Sequence, residues 1–296
     1  MPVALLMAMR PRQWTKNLFV FAALVLTGKL VQVDATLKAT AAFLLFCVVS
    51  SAVYLLNDLA DVQQDRLHPE KRSRPLASGE IGPGVALAWT AMLCVIGVGG
   101  GFAVDRLLGW VIVAYLVLQL AYTMALKHMV IVEVLAIAGG FVLRVLAGGA
   151  AIDRPISPSL YLSMIFLALF QGFSKRRHEL RLLADVAGNH RPSLSEYTIE
   201  LLDDFIVIAA TATIVTYSLY AIETPARPPG ISANVLLLTI PFVLFAVFRY
   251  LYLVRVQGEG GTPEDLLLTD GPLLINVVAW AASLLVILYL LPHVLG

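Results

Sequence analysis

Nine long apolar stretches recur along this chain, near residues 17–34, 36–56, 84–104, 107–126, 130–152, 158–175, 204–222, 233–254 and 271–291. Each is close to the roughly 20 apolar residues that a helix needs to cross a bilayer. In lipid every backbone polar group must be satisfied within the segment, so a chain of such stretches can fold only as packed helices. With 59% hydrophobic and 14% charged residues and a mean hydropathy of +0.84, the chain is read as an all-α polytopic membrane protein, a single integral membrane domain over 1–296. A net charge of +1 provides no overall field for nucleic acid, and none is expected as a partner.

Charge placement sets the expected direction. With the N-terminus cytoplasmic, Lys and Arg favour the inner loops over the outer ones roughly threefold. The C-terminus is then expected outside, in the plasma membrane. The opening segment has its apolar residues before its basic ones, the wrong order for a cleaved signal peptide, and is expected to remain in the mature chain. Outer connections such as Asp153–Pro155 and Pro225–Gly230 are short, whereas two long polar segments, 57–83 and 175–203, fall on the inner side. Function is therefore expected on the cytoplasmic face. Ser193 with Glu196, and Thr262 with Pro263 and Asp265, look like starts of short interfacial helices.

Small residues within the spans, among them Gly97, Gly100, Gly101, Gly140 and Gly148, lack the Lys-Ser or Lys-Thr that follows a phosphate loop, and read as close helix packing in lipid. Cys47 and Cys94 sit in apolar runs and behave as small hydrophobes. His68, His128, His178, His190 and His293 form no pair at metal-ligand spacing, so zinc is not expected.

The chemistry gathers in the first polar loop. Asn57, Asp61 and Asp65 recur every four residues, one stripe of a helix continuing out of the second span, with Asp58 beside them. Such oxygen ligands suit Mg²⁺, which typically takes one or two carboxylates plus substrate phosphate oxygens. Lys71, Arg72 and Arg74 follow. Positive-inside topology alone would account for them, and their mixture with the acidic stripe favours a phosphate clamp.

The run Asn57-Asp58-x-x-Asp61-x-x-x-Asp65, then His68-Pro69-x-Lys71-Arg72-x-Arg74-Pro75-x-Ala77-x-Gly79, resembles the first signature of the UbiA prenyltransferase superfamily. The resemblance implies a nine-helix bundle, a Mg²⁺-dependent diphosphate site on the cytoplasmic side and a lateral opening for a polyprenyl chain. Asn57, Asp58, Asp61 and Asp65 would be the metal ligands, the three aspartates also being catalytic.

Many members carry a second aspartate motif between the sixth and seventh spans. Here the stretch reads Ser174-Lys175-Arg176-Arg177-His178-Glu179-Leu180-Arg181, with Asp185 further on. With the N-terminal Arg10-Pro11-Arg12-Gln13-Trp14-x-Lys16-Asn17, this resembles the branch that transfers 5-phosphoribose from phosphoribosyl diphosphate (PRPP) to a polyprenyl (decaprenyl) monophosphate, for cell-wall arabinan. In that reading Lys71, Arg72 and Arg74 hold PRPP, while Lys16, Lys175, Arg176 and Arg177 hold either its 5-phosphate or the acceptor phosphate.

Tyr122 and Lys127 resemble a family position near the diphosphate and equally fit an interfacial anchor pair. Glu133 either orients a sugar hydroxyl or is solvated. Arg144 lies about a dozen residues along its helix, beyond easy snorkelling, and is expected inside the bundle as a substrate ligand or structural counter-charge. Two other readings compete: a prenyltransferase with a prenyl diphosphate donor and an aromatic or other small acceptor, and a transporter or binding protein for an anionic lipid or solute. The missing second aspartate motif disfavours the former, and the lack of internal repeats disfavours the latter. Oligomeric state, including a homo-oligomer, stays open.

Overall fold

The computed structural model describes residues 2–67, 71–154, 156–184, 194, 196–224, 234–261 and 263–295. All regular structure among them is helical. The segment at 225–230, Asp185, His190, Arg191, Ser193 and Thr262 lie outside the described residues, as do His68 and Pro69 of the motif.

Two compact units emerge: residues 1–126 with 143–155, and residues 127–142 with 156–296. The first contains α1 (Pro2–Ala8), a 3₁₀ segment (Pro11–Val20), α2 (Phe21–Leu26), α3 (Val33–Ala60), α4 (Val62–Leu67), α5 (Pro83–Val104) and α6 (Arg106–Met124). Helix α7 (Val132–Ala151) begins in the second unit and ends in the first. The second continues with α8 (Pro158–Ala184), α9 (Ile199–Glu223), α10 (Ile240–Tyr252), α11 (Pro263–Thr269), α12 (Gly271–Leu285) and α13 (Leu291–Leu295).

The helix starts follow from local chemistry. Asp105 caps α6 by accepting from the Leu107 and Leu108 N–H groups at 2.7 and 3.0 Å. Thr198 does the same for α9, and Asp270 for α12. Pro83 occupies the first turn of α5, where its missing N–H costs nothing.

Among the described residues, seven helical segments are long and apolar enough to cross a membrane, including α3, α5, α6, α7, α9 and the run Val235–Gln257 built around α10. Two expected spans differ. Residues 17–34 form the end of the 3₁₀ segment, the short α2 and a turn, because Asn17 is drawn inward by hydrogen bonds that a continuous apolar helix would not offer. The stretch 158–175 is helical, but α8 runs on through the charged residues to Ala184.

In the first unit Phe46, Leu108, Ile112 and Tyr115 form a core with Val20 and Ala147. Glycine permits the closest approach: a Cβ on Gly148 would collide with the Val20 carbonyl, and one on Gly101 would stand 2.8 Å from Ile112 Cδ1. The second unit is packed around Phe170, Leu202, Ile206 and Leu253.

Candidate active site

Helix α3 carries the carboxylates to the end of the first unit's core and then breaks. Asp61 leaves the helical region (φ −98°, ψ 7°), yet its N–H still bonds the Asn57 carbonyl at 2.9 Å. Helix α4 resumes at once, with the Asp65 N–H on the Asp61 carbonyl at 2.9 Å. The stripe expected on one continuous helix is thus carried across a one-residue interruption.

Asp58 and Asp65 are buried, at 2% and 3% exposure, while Asp61 is half-buried. Their charges are matched by arginines. Arg74 Nη1 donates to Asp65 Oδ2 at 2.6 Å and lies 3.3 Å from Asp58 Oδ1. Arg10 Nη2 bonds the same Asp58 oxygen, and its guanidinium lies 5.0 Å from the centre of the Tyr54 ring. Two nearby buried carboxylates stay ionised together only when cations offset them. The Asn57 side-chain carbonyl accepts from the Thr123 hydroxyl, which fixes the amide's orientation. The turn after Arg74 is held by Arg66 Nε on the Ala77 carbonyl at 3.2 Å. Lys71 and Arg72 are exposed on a single 3₁₀ turn.

Among the described residues no three His, Cys, Asp or Glu side chains stand close enough to hold a metal by themselves. What the structure offers is two carboxylates converging on a single cationic nitrogen, Arg74 Nη1. That donor set fits a Mg²⁺ ion that completes its coordination with substrate phosphate oxygens. It does not make a closed cage.

A second polar group lies deeper in the same unit. Arg144 is buried, as expected, and its Nε donates to Asn17 Oδ1 at 2.8 Å, its Nη2 to the Tyr115 hydroxyl at 3.0 Å. Asn17 donates in turn to Ser50 Oγ at 3.2 Å, and Trp14 to Ser51 Oγ at 3.1 Å. The network ties the 3₁₀ segment, which carries Lys16 and follows Arg10, to α3 and α7.

In the second unit the basic run on α8 meets carboxylates. Arg176 Nε lies 3.0 Å from Glu133 Oε1, and its Nη1 bonds Glu179. Glu133 is fully buried, so the solvated reading does not apply to it. Arg177 donates to Asp203 at 2.8 Å and to the Val254 carbonyl at 3.0 Å, while Arg255 also reaches Asp203. His178 Nδ1 donates to the Gly258 carbonyl at 2.8 Å, and Gly258 takes the left-handed conformation (φ 76°) that ends the helical run. Tyr197 accepts the Ile131 N–H at 2.6 Å, just before α7, and burial pushes its phenol pKa up. Lys175, Tyr122 and Lys127 are half-buried.

Sequence reasoning did not single out Arg10, Thr123 or Asp203 as site residues. Arg10 counted only towards charge asymmetry and the N-terminal resemblance, although a basic residue directly before Pro11 is a usable signal. Thr123 and Asp203 carry none, since their partners are 66 and 26 residues away.

Residues 17–260 match the UbiA prenyltransferase family. The chain belongs to that family. Its fold is that of a UbiA homolog from Archaeoglobus fulgidus bound to GPP and Mg²⁺, with a TM-score of 0.73 at 16% identity, covering 96% of this chain and 99% of that one. This UbiA-family chain is 38% identical over 282 residues to the decaprenyl-phosphate phosphoribosyltransferase of Mycobacterium tuberculosis, covering 93% of the chain and 91% of that protein. To the enzyme of the same name from Mycolicibacterium smegmatis it is 35% identical over 291 residues, covering 95% and 91%.

Proposed function

We infer that this membrane-embedded transferase moves 5-phosphoribose from PRPP to a polyprenyl (decaprenyl) monophosphate and releases diphosphate. The observation that carries this is the identity of 38% across nearly the whole chain to an enzyme of that name. The Asp58–Asp65–Arg74 cluster supplies matching chemistry for a diphosphate.

In the reaction the bond from the anomeric carbon of PRPP to its diphosphate oxygen breaks, and a lipid phosphate oxygen bonds that carbon from the opposite face. The configuration inverts from α to β. The lipid phosphate is already ionised, so no strong general base is needed. Asn57, Asp58, Asp61 and Asp65 would hold Mg²⁺, which when bound neutralises charge on the departing diphosphate. Lys71, Arg72 and Arg74 hold and orient the donor's phosphates, Arg74 from the edge of the carboxylate pair. Lys16 and Lys175 serve the 5-phosphate or the acceptor phosphate, and Tyr122 and Lys127 belong with the diphosphate groups. Arg176, Arg177 and Glu133 act chiefly by holding the charged end of α8 in place, and Arg144 by holding the 3₁₀ segment.

The seven apolar segments, the 3₁₀–α2 segment and α8 together make nine crossings, with the N-terminus and both polar loops cytoplasmic and the C-terminus outside, in the plasma membrane. Supplying arabinan precursor to the cell wall is the role of such a product. Membranes from cells expressing the chain, given labelled PRPP with Mg²⁺ and polyprenyl phosphate, are expected to move label into the lipid extract. Label transfer from a prenyl diphosphate to an aromatic acceptor, with none from PRPP, would establish the prenyltransferase reading instead.

A further inference from the structure

We propose that Arg74 is a stand-in cation which leaves Asp58 and Asp65 as a divalent ion arrives, so that these carboxylates take the metal only together with a diphosphate. This rests on the reading above that the cluster serves a metal and a diphosphate, and it adds an order of events to that reading.

The geometry is the starting point. One nitrogen, Arg74 Nη1, reaches both Asp65 at 2.6 Å and Asp58 at 3.3 Å, and Arg10 completes Asp58. Two buried carboxylates and two guanidinium groups therefore balance one another without any metal. A bare divalent cation entering this cluster gains two carboxylates only by displacing a guanidinium, and the displaced guanidinium gives up its contacts to both Asp58 and Asp65. Metal binding alone is disfavoured for that reason. A diphosphate changes the balance, because it supplies oxygens to the metal and a new anionic partner to the arginine in one step.

The local structure permits the exchange. The Arg74 backbone is fixed on both sides, its N–H on the Lys71 carbonyl at 2.9 Å and its carbonyl accepting from Ser78 at 2.8 Å. Its side chain is 29% exposed, whereas the side chains of Asp58 and Asp65 are 3% and 4% exposed. The arginine thus has a path towards solvent and the carboxylates do not. Only side-chain torsions need to change.

The test uses Mn²⁺ as the probe ion and inorganic diphosphate as the anion, on full-length protein in nanodiscs, with bound Mn²⁺ read by electron paramagnetic resonance. Amounts are corrected for the complex that forms in solution. Diphosphate is expected to tighten Mn²⁺ binding by about tenfold or more, within the usual range of coupling between two sites, and Mn²⁺ to tighten diphosphate by the same factor. Arg74→Gln is expected to tighten Mn²⁺ binding in the absence of diphosphate, to weaken diphosphate, and to bring the coupling close to one. Arg74→Lys, which keeps a cation, is expected to retain most of the coupling, and thermal unfolding of both variants establishes that they fold. Equal Mn²⁺ affinity with and without diphosphate in the unmodified protein would overturn the proposal. So would weaker binding of Mn²⁺ alone by a folded Arg74→Gln variant. Because the probe is the shared leaving group, coupling without ribose transfer would sink the donor assignment and leave the exchange standing, whereas transfer without coupling would do the reverse.

Discussion

Removing the Glu133 carboxylate separates a structural from a substrate-binding role for Arg176. Glu133 is fully buried and Arg176 is 2% exposed, with 3.0 Å between the charged atoms and Glu179 as a second partner of the arginine. Breaking a buried pair by deleting one member costs about 3–5 kcal/mol, because the other charge stays behind. Glu179 remains available in Glu133→Ala, so a loss near the lower end, about 3 kcal/mol, is expected. Arg176→Met leaves Glu133 buried without its arginine and should lose about as much as the full range. The double variant Glu133→Ala with Arg176→Met removes both charges and should recover to within about 2 kcal/mol of the parent, a coupling far outside simple additivity. The assay is unfolding of the protein in one fixed detergent, followed alongside apparent affinities for PRPP and the lipid phosphate. If Arg176 acts through the frame, the double variant regains both stability and substrate affinity. Additive stability losses would refute the pair. Recovered stability with a large, isolated loss of affinity for one phosphate substrate would instead make Arg176 a ligand of that substrate.

Three other outcomes are expected. Arg144→Leu leaves the Asn17 carbonyl and the Tyr115 hydroxyl buried without their charged donor and should destabilise by about 3 kcal/mol or more, while Tyr115→Phe should cost only about 1 kcal/mol; equal effects in thermal unfolding would contradict the network. Asp61→Ala should abolish turnover in an otherwise folded protein, and surviving activity would remove Asp61 from the metal site. The bidentate hydrogen bonding of Arg249 holds the Asp270 carboxyl below its usual 3.8. With the folded value depressed, its contribution to stability is complete above the ordinary carboxylate range and is lost as pH falls through the folded value. A melting-temperature profile from neutral to acid pH, compared with Asp270→Asn, should show the two proteins converge only in strong acid.

Much of this architecture is written locally. Spans expected at 84–104, 107–126 and 130–152 emerge as Pro83–Val104, Arg106–Met124 and Val132–Ala151, since apolar length, Pro83 and Asp105 are all visible in the sequence. The first span was not legible in its true form. Its shape depends on Asn17 turning towards Ser50 and Arg144, contacts set by packing and not by periodicity. The basic run at 175–181 reads as a loop because three adjacent cations look solvated. It continues α8 because Glu133, Glu179 and Asp203 neutralise it, and two of those lie far off in the chain. The acidic stripe was legible as a set of oxygen ligands. That Arg74 and Arg10 stand among those oxygens was not, since charge spacing alone gives no side-chain direction.

The proposed function requires that ribose phosphate, and no prenyl group, is the moiety transferred. Purified protein supplied with Mg²⁺, PRPP and polyprenyl monophosphate should yield, by mass spectrometry, a lipid heavier than the acceptor by one phosphoribosyl group, together with stoichiometric diphosphate. No such lipid, with turnover of a prenyl diphosphate and an aromatic acceptor by the same preparation, would contradict it.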